Sequence, residues 1–578
     1  MSYVKHVTKK NVHKQTEQAR EDQILNSAGG FSFEVSPWDK LNRFLILGSE
    51  KGSYYVSEKE QTIHNYDNIK NLLPIDYKKV IDTIIDISQN GRAPKNNNAV
   101  FALAVCSVFG SKEAKEMANK AMPLVCRFST DLFSWVNTVN ELKEGKKSKG
   151  LQRSIGRWYN SKDASFVAYQ ICKYPGRTVD NKRWTHADLL KIAYILPKNT
   201  SNNDKSRTAS SSEHEIAFKY AIHGVFSDED IKTTNELIEQ GKKKWFGLTK
   251  KDLEPLKEIK SLEYIWAHEQ AKNSTDKKEI ISLIKKYKLT TESIPTDFLK
   301  EKDVLSALLQ NMPMTAMLRK LGQYTAKEVL KPLSKETSLV IDKLSDKEFL
   351  KKSRIHPMTL FICWKIYQSG CGEKGSYSWD PIPAILSALE NAFYLSFDNC
   401  EKIDKNIFIG VDVSPSMFGS KCAGNDNVSA AEAAAVISMV IMRSCKNYQI
   451  CAFQHKIVDM KLTSTMSFNE VINKMEKFSN GWGGTDCSAP ILQAINQNVD
   501  VDTFITLTDN ETWHGTIHPF EALKKYRSKC NSHAKIAYLS FTSNNFSLAD
   551  KEDKGCIDIV GLDSHIPQIL SDFIQEKF

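Results

Sequence analysis

The spacing of apolar residues between Tyr66 and Phe397 is that of amphipathic helices. Apolar side chains recur three and four residues apart, and short breaks rich in Gly, Pro, Ser or Asn separate the runs. The clearest runs are residues 77–87, 99–109, 186–196, 279–287, 304–321 and 358–367. About a dozen such helices in succession predict stacked antiparallel pairs of the HEAT type, and an irregular helical domain stays open because no repeat is visible as sequence identity. Two short strand-like runs, 43–47 and 54–56, precede them.

The pattern changes after Glu401. Apolar strand-like runs at residues 407–411, 448–453, 503–507 and 535–541 alternate with helical runs at 430–444, 468–478, 489–497, 519–529 and 566–574. Strands that are apolar on both faces and separated by helices predict a doubly wound, mostly parallel sheet. In such a sheet, ligands bind beyond the carboxyl ends of the strands, where the strand order reverses.

With 578 residues, the chain is too long for a single core. We divide it into a basic, disordered arm (1–30) that ends at Ala28-Gly29-Gly30, a helical domain (31–404) and an α/β domain (405–578). The polar, basic start of the chain and the lack of a long apolar stretch argue against secretion and against membrane spanning. The 12 cysteines include no CxxC pair, and several lie in apolar runs, which predicts reduced thiols in an intracellular protein.

The positive charge of the chain is concentrated in its first 400 residues. Residues 401–578 carry 17 Lys/Arg and 21 Asp/Glu, so the net charge of +10 leaves +14 for residues 1–400. Residues 143–191 hold 12 Lys/Arg against 4 Asp/Glu, an excess of +8 in 49 residues. Such a patch favours a polyanionic partner, and RNA is the one that we predict.

Basic and aromatic residues alternate within this patch, as in proteins that hold phosphates with cations and stack bases on rings. The predicted RNA-binding residues are Arg153, Arg157, Lys162, Lys173, Arg177, Lys182, Arg183 and His186. Two alternatives stay open. The cations could be solvated helix faces, and Trp158, Tyr159 and Trp184 are more typical of a core. His186 also lies in a helix start, Thr185 to Asp188, with Thr185 as the cap.

Hydroxyls and carboxylates follow two of the predicted strands. Asp412, Ser414 and Ser416 come in the order DVSPS after one strand, Asp509 follows another, and Thr485 lies in a glycine-rich GGTD segment. Hard oxygen ligands of this kind suit Mg²⁺. A helix cap formed by Asp412 and Ser416, without a metal, is the alternative.

The order DxSxS, Thr, Asp resembles the metal-ion-dependent adhesion site of von Willebrand A domains. Together with RFLILGSEKGSYY, RWYN (157–160), RWTHADLLKIAYILPK (183–198), MPMTAMLRKLG (312–322) and RIHPM (354–358), it resembles the Ro (SS-A) ribonucleoprotein family. The resemblance implies a ring of HEAT-like helices, the TROVE domain, followed by a von Willebrand A domain. It also implies Y RNA binding on the outer basic face and capture of single-stranded 3′ ends of misfolded noncoding RNAs in a central hole, as part of RNA quality control.

On this resemblance we expect a monomeric, cytoplasmic RNA-binding protein, with nuclear entry through the basic arm left open. The metal would leave one coordination position for an acidic protein ligand, and Arg319, Lys320 and Arg354 are candidates for the hole. Two other functions stay open, a metal-dependent RNA-processing enzyme and a protein-interaction scaffold. Against an enzyme, the sequence contains no GxSxG or P-loop motif and no Cys/His pair at a recognisable spacing.

Overall fold

The structure is a computed structural model. It describes residues 12–26, 28–34, 36–47, 58–90, 96–180, 182–198, 204–226, 248–353, 355–372, 377–422, 425–479, 484–510, 512–541, 546–561 and 566–575. Within these ranges, no helix combines the length and the apolar character that crossing a bilayer requires.

Helices dominate the chain as far as Asn399, as the spacing of apolar residues predicts. The α-helices of this region are Pro37–Leu47, Glu58–Gln89, Asn97–Phe109, Lys112–Val125, Ser129–Leu142, Lys149–Asn160, Ala164–Lys173, His186–Ala193, Ser212–His223, Lys250–Leu253, Glu263–Asn273, Lys277–Tyr287, Lys302–Gln310, Met314–Ala326, Lys335–Ser345, Lys347–Lys352, Pro357–Gln368 and Pro383–Leu395. Short 3-10 helices span Lys205–Arg207, Glu254–Glu258, Thr291–Ser293, Phe298–Lys300 and Ser396–Asn399. Helices that follow one another pack together along much of the region.

Two predictions for this region are wrong. Residues 43–47 form the end of the helix Pro37–Leu47 and not a strand. The single helix predicted over 304–321 is two helices, because Pro313 has no N–H group and disfavours helical backbone at Met312. The strand predicted at 54–56 lies outside the described residues.

Proline also divides the longest helix. Glu58–Gln89 contains Pro74 and bends at Asp76, whose φ of −156° and ψ of 84° are not helical. The Asp76 carboxylate accepts a hydrogen bond from the N–H of Lys79 at 3.0 Å, so it caps the second half of the helix.

Fifteen strands complete the described secondary structure. In chain order they are β1 (Gln23–Leu25), β2 (Phe31–Glu34), β3 (Gly176–Val179), β4 (Lys182–Thr185), β5 (Val225–Phe226), β6 (Leu248–Thr249), β7 (Ile403–Asp412), β8 (Lys421–Cys422), β9 (Asn425–Ser429), β10 (Cys445–Phe453), β11 (Ile457–Val458), β12 (Thr503–Thr508), β13 (Lys535–Ser540), β14 (Phe546–Ser547) and β15 (Cys556–Val560). The α-helices after residue 400 are Pro415–Gly419, Ala430–Ser444, Phe468–Ser479, Ala489–Asn496, Pro519–Lys529 and Ile566–Ile574.

Six of these strands form one sheet in the order β11-β10-β7-β12-β13-β15. All neighbours are parallel except β11, which runs antiparallel to β10. From β7 the chain moves to β10 on one side and later returns to β12 on the other side, so the strand order reverses between β7 and β12. This confirms the predicted doubly wound sheet and places its ligand-binding edge at the carboxyl ends of these two strands.

The helical region and the α/β domain share a hydrophobic core. One cluster of buried residues runs from Ala267 through the last helices of the helical region and into the α/β domain, while a second cluster belongs to the first half of the helical region. Phe361 contacts Phe468 with ring centroids 4.6 Å apart, and Lys365 pairs with Glu432 at 2.8 Å. The predicted boundary at 404 falls just inside β7, which begins at Ile403.

The N-terminal arm differs from the prediction. Residues 12–26 and 28–34, called the N-terminal segment below, pack on the α/β domain instead of forming a disordered tail, and residues 1–11 of the predicted arm lie outside the described residues. Here β1 pairs with β2, and β2 pairs with β14, so the three strands form a small antiparallel sheet. Gln15 and Phe33 are buried in this contact. Because the helical region follows the N-terminal segment and ends at β7, it is attached to the α/β domain at both ends.

Candidate functional site

The two predicted metal-site carboxylates lie at neighbouring strand ends. Asp412 is the last residue of β7, Asp509 follows the last residue of β12, and the two strands are paired in parallel. Asp412 has 0% exposure, and one of its oxygens accepts a hydrogen bond from the Thr508 hydroxyl at 2.9 Å. The strand register, and not a local motif, therefore brings these two carboxylates together.

Ser414 and Ser416 turn the chain over the end of β7. The N–H of Ser414 donates to Asp412 Oδ1 at 2.8 Å, and the hydroxyl oxygens of the two serines lie 3.0 Å apart. Pro415 starts the short helix Pro415–Gly419, a position where a helix needs no N–H donor. The first three predicted ligands therefore form one compact group.

Gln454 connects the loop that contains Thr485 to the same edge of the sheet. The side chain of Gln454 donates to the carbonyl of Val413 at 2.7 Å, and its backbone carbonyl accepts from the N–H of Asp486 at 2.8 Å. Gly484 has no room for a side chain, because a Cβ there would lie 2.5 Å from that of His514. Gly483 lies outside the described residues. The glycine before Thr485 thus allows the loop to approach the loop after β12.

The electrostatics of the site favour a cation. Burial and, to a smaller extent, the negative charge of Asp509 together raise the pKa of Asp412 to about 7. Burial also raises the pKa of Asp486. Within the described ranges, no group of three or more His, Cys, Asp or Glu side chains is arranged to hold a metal. An ion at this edge would therefore depend on Ser414, Ser416 and Thr485 as well as on the carboxylates, which suits a hard divalent cation such as Mg²⁺.

Three of the predicted RNA-binding cations are fixed on backbone carbonyls. Arg157 donates to the carbonyl of Asn119 at 2.9 Å, and Lys162 donates to that of Pro123 at 3.0 Å. Arg177 donates to the carbonyl of Thr130 at 3.3 Å. The acceptors lie in the helix Lys112–Val125 and at the start of Ser129–Leu142, so three separate elements place their cations around this pair of helices.

The remaining cations are less constrained. Lys182 and Arg183 are exposed on β4, and the ammonium of Lys182 lies 4.0 Å from the ring centroid of Trp184. Arg153 pairs with Asp204 at 2.8 Å while half of its side chain stays exposed. We call Arg153, Arg157, Lys162, Arg177, Lys182 and Arg183 the basic surface.

Lys173 belongs to a second group of cations. It donates to the Tyr169 hydroxyl at 2.9 Å, and the Tyr169 ring contacts that of Tyr264 at 5.1 Å. Burial lowers the pKa of Lys320, and the charges of Lys173 and Lys327 lower it further, although Glu292 opposes them. Lys173 therefore lies near lysines from the second half of the helical region. Arg319 is exposed, and Arg354 lies outside the described residues.

His186 lies in the core. Its exposure is 1%, its Nδ1 lies 2.6 Å from the Tyr159 hydroxyl, and its ring contacts that of Phe133. Burial lowers the pKa of His186 to about 4, so the ring is neutral at pH 7. The structure thus differs from the expected RNA contact, since the ring cannot reach a ligand in this conformation.

The alternatives for the neighbours of His186 are confirmed. The Thr185 hydroxyl accepts from the N–H of Asp188 at 3.1 Å, and the Asp188 carboxylate accepts from the N–H of Thr185 at 3.0 Å, which is the predicted capping box. Trp158, Tyr159 and Trp184 are buried, as expected if they belong to the core.

Several residues of the site were missed by the sequence analysis. Thr508, as the last residue of an apolar strand, could have been recognised from its position. Gln454 and Thr512 carry no signal, because their partners are distant groups that only the fold brings near. Gln15 was missed because it lies in a polar stretch without periodicity.

Known proteins match both halves of this chain. A family model described as the TROVE domain matches residues 24–364, and one described as the Ro60 vWA domain matches residues 406–574. The chain is 32% identical to the RNA-binding protein RO60 of Caenorhabditis elegans, over 98% of this chain and 92% of that protein. It is 30% identical to the RNA-binding protein RO60 of Deinococcus radiodurans, over 97% of this chain and 96% of the relative.

A solved structure agrees with the sequence matches. The crystal structure of the Deinococcus radiodurans RO (RSR) protein superposes with a TM-score of 0.70 at 28% identity, covering 94% of this chain and 100% of that chain. The predicted fold class and the family resemblance are both confirmed. The chain belongs to the Ro60 family of proteins, in which a helical TROVE domain precedes a von Willebrand A domain.

Proposed function

We propose that this chain is the RNA-binding component of a small cytoplasmic ribonucleoprotein. It binds a folded noncoding RNA of the Y type on the basic surface and single-stranded 3′ ends of misfolded noncoding RNAs in a central hole of the helical ring, and it acts in RNA quality control. The names of its two relatives support RNA binding. The observation that carries the proposal is the set of cations fixed on carbonyls around the helices Lys112–Val125 and Ser129–Leu142.

Fixed cations suit a folded RNA. Arg157, Lys162 and Arg177 use one N–H group on a carbonyl and retain others for phosphate oxygens. Because these side chains are already held, they lose less conformational entropy on binding than free lysines would. The backbone of a helical RNA is recognised by its shape and by phosphate contacts, so this arrangement needs no base reading.

The group around Lys173 suits an unpaired end. Lys173 and Lys320 supply positive charge, and the rings of Tyr169 and Tyr264 lie beside them. Single strands are bound by such combinations of charge and aromatic rings, since an exposed base can stack where a paired base cannot. We therefore propose this group for the inner, single-strand site.

Charge reversal tests the RNA proposal. The variant Arg177→Glu, Lys182→Glu and Arg183→Glu is compared with a control that reverses three exposed lysines of the α/β domain, Lys446, Lys525 and Lys529. Fluorescence anisotropy with a hairpin RNA and with an unpaired oligoribonucleotide gives the affinities over a salt series. If about five phosphates of a single strand are contacted by wild type, the salt slope is roughly −3.5.

We expect the first variant to lose hairpin binding and the control to keep it. Equal losses in both variants would mean that only the net charge matters, and an unaffected first variant would remove the basic surface from the proposal. The same RNAs, incubated with Mg²⁺ and examined on a gel, should stay intact because we assign no bond cleavage to this protein. Cleavage that Asp412→Ala abolishes would favour an enzyme.

We further propose that Asp412, Ser414, Ser416, Thr485 and Asp509 hold Mg²⁺. The fit rests on the paired serine hydroxyls and on two carboxylates brought together by adjacent strands. When bound, the ion supplies a coordination position for an acidic group of a protein partner. Titration with Mn²⁺, followed by electron paramagnetic resonance, should show one site in wild type and none in Ser414→Ala. Sites retained in Ser414→Ala would exclude this ligand set.

The thiols support a reducing compartment. All 12 cysteines lie in described residues and are free, and seven of them are buried. Free cysteines in this number are typical of intracellular proteins. A cytoplasmic location is therefore part of the proposal. We also propose that the protein is monomeric, which size-exclusion chromatography with light scattering would test.

A further inference from the structure

Gln15 is the residue of the N-terminal segment that reaches the proposed metal site. Its side chain has 0% exposure, although it lies near the start of the chain in a polar stretch. The N–H of Phe31 donates to its carbonyl at 2.9 Å, and its own N–H donates to the carbonyl of Gly515 at 3.3 Å. The backbone of Gln15 is therefore held from two sides, by β2 and by the loop after β12.

The Gln15 amide joins two loops of the α/β domain. Its Nε2 donates to Asp486 Oδ1 at 2.7 Å and to the carbonyl of Ile517 at 3.0 Å, while its Oε1 accepts from the Thr512 hydroxyl. That hydroxyl also lies 3.1 Å from the carbonyl oxygen of Thr485. Both polar atoms of the amide are thus used in one buried contact.

These two loops carry separate parts of the metal site. Asp486 directly follows Thr485, and Thr512 lies three residues after Asp509. A strand holds Asp412 in place from within the sheet, but Thr485 lies on a loop before the helix Ala489–Asn496. The position of Thr485 relative to Asp509 therefore depends on the contacts between the loops, and Gln15 makes several of them.

The space around the Gln15 amide is closely packed. Gly515 has a φ of +125°, and a Cβ there would lie 2.7 Å from both Asp486 Oδ1 and Gln15 Nε2. The rest of the N-terminal segment is held on the same side, since Asn26 donates to the Thr512 carbonyl at 2.7 Å and Arg20 pairs with Asp550 at 2.7 Å. A substitution at Gln15 would thus leave buried polar groups unpaired within a segment that stays docked.

We propose that Gln15 is a positioning residue of the metal site, so that docking of the N-terminal segment and metal binding are thermodynamically linked. The inference rests on the proposed metal site. Outer residues that orient metal ligands commonly change metal affinity by about 10- to 100-fold. Because linkage is reciprocal, the metal must stabilise the docked segment by the same factor by which docking strengthens metal binding.

Mn²⁺ titration of the full chain tests this inference. We expect Gln15→Ala and Gln15→Met, which retains the length of the side chain without its hydrogen bonds, to bind Mn²⁺ about tenfold more weakly than wild type. The matched control is Gln18→Ala, because Gln18 lies in the same segment but is exposed, and its side chain bonds, among the described residues, to the backbone of Glu21 and Gln23. This control should bind Mn²⁺ like wild type.

Thermal unfolding in EDTA and in Mn²⁺ separates positioning from stability. If Gln15 only stabilised the fold, Gln15→Ala would lower both melting temperatures equally and leave Mn²⁺ affinity unchanged, and the inference would be wrong. Wild type without Mn²⁺ affinity would instead overturn the metal proposal itself. If both Gln15 variants fail to fold, hydrogen exchange of the wild-type protein tests the linkage instead. Residues 12–34 must exchange more slowly with Mg²⁺ than with EDTA, and equal rates would refute the linkage.

Discussion

The proposed metal-site edge of the α/β domain and the basic surface of the helical region differ in how they are built. At the metal-site edge, Asp412 and Asp509 are buried and are placed by the register of neighbouring strands. On the basic surface, cations from separate elements reach outward, and the fixed ones are held on carbonyls. A site of the first kind fails when one member is lost, whereas contributions to a surface of the second kind add up.

Asp412→Asn should have the largest effect of these substitutions. The effect should be on metal binding by the α/β domain and not on RNA binding by the helical region. The amide keeps the size of the carboxylate but removes the charge that the ion requires, so Mn²⁺ affinity should fall by about 100-fold. Affinity for the hairpin RNA should change less than about twofold, because the substitution lies in the other region. Paired titrations of both ligands would show this, and a parallel loss of RNA affinity would mean that the two regions do not act independently.

His186→Gln should have the next largest effect. This effect should be on the stability of the fold and not on ligand binding. The pKa of His186 is about 4 in the fold, below the value of about 6.5 in an unfolded chain. The unfolded state therefore takes up the proton first, and His186 destabilises the fold as pH falls from about 6.5 toward 4, by about 2 kcal/mol at pH 5. Urea unfolding at pH 7 and pH 5 should show a smaller difference in the variant. His268 serves as a positive control with the same expected pH dependence, since burial also lowers the pKa of His268 to about 4.

Arg157→Ala should have a moderate effect if the basic surface is distributed. One lost phosphate contact should weaken RNA binding by about fivefold at moderate salt and reduce the magnitude of the salt slope by about 0.7 to 0.9. Anisotropy titrations at four salt concentrations would measure both quantities. Complete loss of binding in this single variant would show that Arg157 acts like a member of a compact site, which would remove the difference between the two regions.

Arg153→Ala should have the smallest effect on stability. Its pair with Asp204 is half exposed on the arginine side, and such pairs contribute about 0.5 kcal/mol or less. The free energy of unfolding in urea should therefore match that of wild type within error. A loss of more than about 1 kcal/mol would show that Arg153 has a structural role beyond this pair.

The two regions also differ in what their sequence reveals. The proximity of Asp412 and Asp509 could be predicted because the ends of neighbouring parallel strands meet at one edge of the sheet, while metal binding by them stays a prediction. Helices were predictable from spacing, except at residues 43–47, which were predicted as a strand, and where Pro313 breaks a continuous apolar run. His186 was predicted at the surface because the same residue type occurs in cores and at surfaces, and its contacts with Tyr159 and Phe133 in the core are made only in the fold. The packing of Gln15 could not be predicted, since its partners lie about 500 positions away and no local pattern encodes them.

The contact of the N-terminal segment with the far end of the chain also sets the timing of assembly during translation. Gln15 bonds to Asp486, and Arg20 pairs with Asp550, 530 positions later. At about 5 to 20 residues per second, a ribosome needs roughly half a minute to two minutes for that distance. Gln15 and Arg20 therefore lack these partners until the ribosome has passed Asp486 and Asp550. The attachment of the helical region to the α/β domain through the N-terminal segment can therefore be completed only after Asp550 has been synthesised.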